Sequence, residues 1–307
     1  MTELSQKILE QYQIRKTRKQ KTAFIELLQQ AFPQTIVQKA KIPASRNLII
    51  GDIEKAKVVF SAHYDTCAQL PFPNFIVPMR PFLSVMYSFA VMLPILILIL
   101  ALDYLLGYVT SDFWVIYLVN FIFLAGVLYM IMAGVTNKHN ANDNTSGVIT
   151  VLEILQSLPE GQTDAAFVLF DNEEIGLMGS TYFRKQYKKA MENKLLINFD
   201  CVSEGDYIML AVTQKANQHN NAINTAFCSV GKKQYVHIDA DKVYYPSDHI
   251  GFPQHIAVAA LKKGKRIGYY MDRIHTNRDI IFDEANIELL RSSSTALIEC
   301  IKNGTLE

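Results

Sequence analysis

A chain of 307 residues with 30 Lys and Arg against 29 Asp and Glu carries a formal charge of +1. That length suits one large α/β domain or two small ones, and so even a charge leaves no electrostatic footprint for a nucleic-acid partner. The hydrophobic share, 50%, is at the upper end of the globular range, and the excess is concentrated in one place. The four cysteines, Cys67, Cys201, Cys228 and Cys300, are widely spaced and form no C-x-x-C pair. This argues against a thiolate zinc site or a disulfide framework and fits a reducing compartment. Met1 to Lys7 lacks a basic-then-apolar secretion signal.

Leu4, Ile8, Leu9 and Tyr12 share a helical face, and residues 19–31 read as a second helix with Phe24, Leu27 and Leu28 apolar. The basic cluster Arg15, Lys16, Arg18, Lys19 and Lys21 joins them. A solvated helix face explains it more simply than contact with lipid headgroups. Short strands are expected over 35–40 and 47–50, and a buried one over 57–62. The last ends in His63-Tyr64-Asp65-Thr66, an imidazole with a carboxylate two residues on. Metal-bound histidines need such a carboxylate to orient them; a lone structural histidine is the alternative.

Composition then changes abruptly. Residues 82–102 are nearly all apolar, with two serines and Pro94, and residues 113–133 are similar, with Asn120 the one strongly polar side chain. Each run is about 20 residues, enough to cross a hydrocarbon core. The link between them is short, so two antiparallel membrane helices are expected. A hairpin buried in a soluble core is the alternative, but neither run has a polar face. The link carries Asp103 and Asp112 and no Lys or Arg, while the flanks carry Arg80 and Lys138. By the positive-inside rule the globular part and both termini face the cytoplasm.

Asp143 lies just before a helical pattern, Val148, Val151, Leu152 and Leu155, which Asn144, Thr145 or Ser146 can cap. Asp143 is a ligand candidate or itself a cap. Phe167 to Phe170 form a buried strand that breaks into Asp171, Asn172, Glu173 and Glu174. Acidic residues thus crowd the carboxyl end of a strand, where open α/β sheets bind ligands. Such neighbours repel, and a metal ion or a shared proton must offset the charge unless the loop is simply solvated. A helix over 181–191, strands over 195–199 and 207–212, a helix over 217–230 and a short strand over 235–238 follow. Asp200 ends the first of these strands. Tyr244 to Phe252 reads as a loop, 256–261 as a strand, Arg273 to Asp279 as a polar loop, and 285–301 as a closing amphipathic helix.

This alternation favours an α/β fold, a sheet covered by helices on both faces. His63, Asp143, Glu174, Asp200 and His275 can converge at one edge. Two imidazoles and three carboxylates suit zinc. One carboxylate bridging two ions would set them about 3.5–4 Å apart, as in two-metal hydrolases. Cys67 and Cys201 stand near these positions in sequence, and small buried apolar residues are the simpler reading of both.

In six ordered segments the chain resembles the M28 family of zinc aminopeptidases. They are Ser61-Ala-His-Tyr-Asp-Thr, Asn142-Asp-Asn-Thr-Ser-Gly-Val, Asp171-Asn-Glu-Glu-Ile-Gly-Leu-Met-Gly-Ser, Asn198-Phe-Asp, Ser247-Asp-His-Ile-Gly-Phe and Ile274-His-Thr. The resemblance implies a mixed central sheet sandwiched by helices, of the zinc-peptidase or phosphorylase/hydrolase-like kind, with two Zn²⁺ or, in their place, Co²⁺ or Mn²⁺. It assigns Asp143 as the bridge, Glu174 and His275 to one ion, and His63 and Asp200 to the other. Glu173 would be the general base, Asp65 the partner behind His63, and His249 stands where some members place a carbonyl-assisting group. Glu173 would take the proton of the metal-activated water and pass it to the leaving amine. A substrate amine on one ion would direct the reaction to N-termini.

In soluble members the segment between the motifs of Asp65 and Asp143 is short, whereas here these residues stand about 78 positions apart. The chain therefore divides into 1–80, the N-terminal helices and first part of the catalytic domain; 81–134, the inserted hairpin; and 135–307, the remainder. The insertion leaves from ligand-carrying loops, so the active-site edge is expected near the bilayer. Partners are then the lipid bilayer and a peptide or amphiphilic amide substrate, such as a hydrophobic peptide or an acylated amino acid; simple anchoring is the alternative role for the hairpin. Two rival readings are a glutaminyl-cyclase-like enzyme with one zinc and a non-catalytic membrane scaffold with a peptidase fold. The intact segment around Asp143 speaks against the first. The presence of all five ligand positions and Glu173 speaks against the second.

Overall fold

The computed structural model describes residues 1–41 and 44–302. In chain order the elements are α1 (Glu3–Gln11), α2 (Arg18–Ala31), β1 (Ile36–Ala40), β2 (Ser45–Ile50), β3 (Val58–His63), α3 (Pro81–Leu106), α4 (Phe113–Ala133), α5 (Gly147–Ser157) and β4 (Ala165–Phe170). There follow α6 (Met178–Gln186), β5 (Leu195–Phe199), β6 (Tyr207–Val212), α7 (Asn220–Ala226), β7 (Gln234–Asp239), β8 (His255–Gly264), β9 (Gly268–Tyr270) and α8 (Glu284–Lys302).

The strands form a nine-stranded mixed sheet in the order β1-β2-β4-β3-β5-β8-β6-β7, with β9 paired to β8. β4, β3, β5 and β8 run parallel, β1 and β2 join their neighbours antiparallel, and β6 is antiparallel to β8 but parallel to β7. Central parallel strands are covered on both faces and need unbroken apolar sequence; β3, β4 and β5 are buried at every position. Alternate residues serve opposite layers. Phe60, Phe167, Ile197 and Phe199 face a core with Ile8, Phe24, Val148, Leu152, Leu290 and Leu297, beneath α1, α2, α5 and α8. The Phe60 ring stacks on those of Phe167 and Phe199, at 5.7 and 6.2 Å. Val59, Val168, Phe170 and Leu196 face Phe183 of α6 and Phe252 on the other side. Helices thus cover both faces of a mixed sheet.

Two local expectations fail for identifiable reasons. The helix expected over 217–230 is a 3₁₀ segment, Gln214–His219, followed by the short α7. Asn217, Asn220, Asn221 and Asn224 are poor helix interiors because their amides compete with the backbone. The strand β9 is three residues long and leaves no periodic signal.

α3 and α4 carry no buried residue. With 26 and 21 residues they are about 39 and about 32 Å long, enough to cross a membrane by length and composition. Asn120 Nδ2 donates to Asp103 Oδ1 across the pair at 2.6 Å. Asp112 caps α4, its Oδ1 accepting the Trp114 amide at 2.8 Å. At the root, Arg80 Nη1 donates to the Arg266 carbonyl (2.9 Å), the Phe75 and Tyr270 rings meet at 5.7 Å, and Lys16 Nζ donates to the Met132 carbonyl at 2.9 Å.

Gly147 opens α5 where a Cβ would lie 2.3 Å from Asn144 Oδ1 and 2.4 Å from the Phe199 carbonyl, whereas a Cβ on Gly126 in α4 would meet nothing within 4 Å. Gly147→Ala should therefore destabilise the protein by about 1–3 kcal/mol. Gly126→Ala should be neutral or stabilising, by up to about 1 kcal/mol. Thermal unfolding followed by circular dichroism separates the two.

Candidate metal centre

Because β4, β3 and β5 are parallel, the residues that follow them share one edge of the sheet. His63 closes β3. Its Nδ1 lies 3.1 Å from the Asp65 carbonyl oxygen and 3.7 Å from Asp65 Oδ1. In the neutral ring, donation of Nδ1–H to that carbonyl would leave Nε2 free for a cation. It lies 3.4 Å from Asp143 Oδ1 and 3.5 Å from Asp200 Oδ1. His275 Nε2 lies 2.9 Å from Asp143 Oδ2 and 3.3 Å from Glu174 Oε2. The five residues singled out in the sequence therefore meet as two half-sites, His63 with Asp200 and His275 with Glu174. Asp143 turns one oxygen toward each.

Supporting groups hold this arrangement by taking up the backbone. Asp65 Oδ1 and Oδ2 accept the amides of Glu173 (3.0 Å) and Glu174 (3.2 Å), fixing the turn after β4 to the end of β3. Its carboxylate acts mainly on that turn, since the imidazole is nearer the Asp65 carbonyl. Asp143 sits in a distorted helical turn, Ala141–Ser146, buried throughout. Asp279 accepts the amides of Asn142 (2.8 Å) and Asp143 (2.9 Å). Asn142 Oδ1 accepts from Ser203 N (2.7 Å), and Asn144 Oδ1 from Cys201 N (3.2 Å) and Gly147 N (3.0 Å). The asparagines flanking Asp143 thus stitch it to the loop that carries Asp200. Asn144 does take the first amide of α5, while Asp143 faces imidazoles instead of capping. Asn172, Cys201 and His275 have φ of 59°, 57° and 61°, left-handed conformations costly for residues with a Cβ and concentrated at functional sites.

Charge in the cluster is tightly balanced. Burial pushes the Glu174 carboxyl up to about 8, the Asp143 charge adding to it and His275 opposing. Burial also raises Glu173 well above the carboxylate range, with Glu174, Asp200 and Asp248 adding. Burial opposes a charge on His275, but Glu174 and Asp143 lift it to about 9. The cluster retains protons that a cation would displace. The residues fit such a cation. Carboxylate oxygens and imidazole nitrogens are the donors of zinc or a related divalent ion. Glu174 Oε1 is buried without a hydrogen-bond partner among the described residues. Three overlapping groups keep their donor atoms within 4.8 Å of one another: His63, Asp143 and Glu174; Asp143, Asp200 and Cys201; Cys67, Glu174 and His275. Burial and nearby carboxylates push the thiols of Cys67 and Cys201 well up, which keeps both as thiols.

The sequence profile of "Peptidase family M28" matches residues 130–299, more than half of the chain. The chain belongs to peptidase family M28. The matched span includes Asp143, Glu173, Glu174, Asp200 and His275; His63 and Asp65 precede it. No curated protein sequence matches the chain. Among solved structures it is similar to the glutaminyl cyclase of Porphyromonas gingivalis, at 17% identity and TM-score 0.56, over 96% of this chain and 95% of that one. It is similar to the LapA aminopeptidase of Legionella pneumophila at 13% identity and TM-score 0.55, over 96% and 68%. LapB of the same organism gives 14% and 0.54, over 97% and 70%. At these identities the likeness speaks for the fold alone.

Around this M28 site the structure corrects the reading of the basic cluster as a solvated face. Arg15 is fully buried, and its Nε donates to the Tyr64 carbonyl (2.5 Å) and its Nη1 to Thr145 Oγ1 (3.1 Å). Lys21 is buried and pairs with Asp171 Oδ1 at 2.5 Å and Asn172 Oδ1 at 2.6 Å. Both tie the segment before and within α2 to the loops that carry the cluster. Asp279 was equally invisible, since a carboxylate that accepts backbone amides has no sequence signature. His249 stands apart: among the described residues none of the cluster's ion pairs includes it. Its ring lies 4.7 Å from that of His255.

Burial, with His255 adding, pulls His249 down from 6.5 to about 3. Between those values the unfolded chain binds a proton that the folded one refuses. Stability through this group is complete above pH 6.5 and falls as pH drops toward 3. His249→Phe should flatten that loss by about 1 kcal/mol per pH unit within the window, read from unfolding midpoints across pH.

Proposed function

We propose that the chain is a membrane-anchored metallo-aminopeptidase that hydrolyses an N-terminal peptide or aminoacyl amide bond. The observation that carries this reading is the placement of the two Asp143 oxygens, one toward His63 and Asp200, the other toward His275 and Glu174. His63, Asp200, His275, Glu174 and Asp143 would hold zinc or a related divalent ion, which would supply an acidified water and a polarised carbonyl. Glu173, held by its amide on Asp65 and raised in pKa by burial, accepts the proton of the attacking water. It delivers that proton to the leaving nitrogen as the C–N bond breaks, giving a carboxylate and an amine. Asp65 acts as a positioning residue. His249 would assist at the carbonyl; its Nδ1 is buried with no hydrogen-bond partner among the described residues.

A second reading, a cyclase with one metal, draws on the likeness to the Porphyromonas enzyme over 95% of its length. Metal analysis of the purified full-length protein separates the two: two equivalents fit the peptidase, one the cyclase. Glu173→Gln should keep the metal and slow hydrolysis of an aminoacyl-reporter panel by about 10²–10⁴-fold. A chelator should abolish turnover and zinc restore it. Retained hydrolysis in Glu173→Gln would reject the assigned base.

The membrane anchor is α3 with α4. Among the described residues neither helix has a buried side chain, Tyr104, Tyr108, Trp114 and Tyr117 lie toward the link end as an aromatic belt, and the cations lie at the root. Both termini are then cytoplasmic. Cys228, free and exposed, should resist an impermeant maleimide in intact cells and react after lysis, whereas a cysteine placed by Thr110→Cys in the link should react in intact cells. The reverse pattern inverts the topology.

A further inference from the structure

A cavity of about 950 Å³ lies between α3 and α4, at the upper end of the roughly 300–1,000 Å³ of small-molecule sites. Val91, Ile95 and Leu98 of α3 and Phe123 and Val127 of α4 form its walls. Among its lining residues only Gln69 and Tyr129 carry polar side-chain atoms. Its floor is the segment from Gln69 to Phe72, which leaves the end of β3 just past Asp65.

That floor is fastened to the candidate metal centre. Gln69 N donates to the Val135 carbonyl at 2.7 Å, and Leu70 N donates to the carbonyl of His275 itself at 2.8 Å. Two residues before Gln69, Cys67 shares a donor group with Glu174 and His275. Phe72 and Val91 also line a second cavity of about 320 Å³ that ends at Tyr244 and Pro246. Those two line a third, of about 260 Å³, with His249 and His255. Three spaces thus share walls in a row, and the largest and most apolar is the one between the helices.

The lining dictates the occupant. A peptide backbone brings a donor and an acceptor per residue, which a wall of hydrocarbon leaves unpaired. A charged side chain fares worse. A hydrocarbon chain loses nothing there. We propose that the chamber receives the alkyl chain of the substrate, so that the substrates are single-chain amphiphilic amides, amino-acid amides or acylated amino acids bearing one long chain. This rests on the metallohydrolase reading above, because the chamber matters to turnover only if the amide reaches the half-sites.

The full-length protein in phosphatidylcholine nanodiscs tests it. Alanyl-alkylamides and N-acyl-alanines of about two to about sixteen carbons are assayed for turnover, and diazirine-tagged hexadecyl members of each series are photo-cross-linked and mapped. In one series kcat/KM should climb about two- to fourfold per methylene and then level off. The tagged chain should label Val91, Ile95 and Val127 in preference to Leu96 and Leu118, which do not line the chamber. Ile95→Trp and Val127→Trp should lower the ratio of long- to short-chain turnover by about tenfold or more. Leu96→Trp and Leu118→Trp should leave that ratio alone. Turnover independent of chain length, with labels spread evenly over outward-facing positions, is the pattern of a cavity filled by bilayer lipid and overturns the proposal. Selective labelling without hydrolysis of any member, short ones included, keeps the chamber and removes the hydrolase reading instead. The labelling arm uses the unaltered protein, so it stands even if a tryptophan variant fails to fold.

Discussion

Buried carboxylates that face one another are held at this edge of the sheet by a division of labour among hydrogen-bond acceptors. Backbone amides around the site are taken by Asp65, Asp279, Asn142 and Asn144. The oxygens of Asp143, Glu174 and Asp200 are thereby left turned toward the imidazoles. Against burial, His275 and His63 hold Asp143 below its usual range, whereas burial pushes Glu174 up to about 8, which leaves a demand for positive charge. Asn172, Cys201 and His275, within or beside this cluster, adopt left-handed conformations of the kind that gather at functional sites.

Much of this was legible in the sequence, and the reasons are specific. β3, β4 and β5 are short apolar runs that end abruptly in His63, Asp171 and Asp200. A parallel sheet places such endings together whatever the details of the loops. The asparagines beside Asp143 looked like helix caps. Their larger part, stitching two loops together, depends on a neighbour more than 50 positions away that local sequence does not show. Arg15 and Lys21 looked solvated because a run of five cations usually is. Burial of two of them is decided by Asp171, Tyr64 and Thr145, which only the folded chain brings near. α7 is shorter than its apolar pattern suggests because four asparagines weaken a helix there, and the three residues of β9 carry no period.

The hairpin and the globular part meet through polar contacts at a narrow root, chiefly Arg80 with the turn before β9 and Lys16 with the end of α4. The unanticipated β9 therefore has a structural part: Tyr270 on it meets Phe75 just ahead of α3. The same N-terminal segment that supplies Lys16 also supplies Arg15 and Lys21. One short stretch thus touches the root of the helices, the strand end at Tyr64 and the acidic turn at Asp171.

The position of β3 has a consequence for how the polypeptide can be divided. β4 and β5 do not pair with each other; each pairs with β3, the last strand before the hairpin. A fragment restricted to residues 130–299, the span that matches the family profile, would hold β5, β8, β6 and β7 but leave β4 with no strand beside it. The pieces on either side of the helices are separate in the chain yet complete one another edge to edge. A nick within the link would spare every strand pairing, whereas removal of the chain before the hairpin would take away the strand on which the sheet closes.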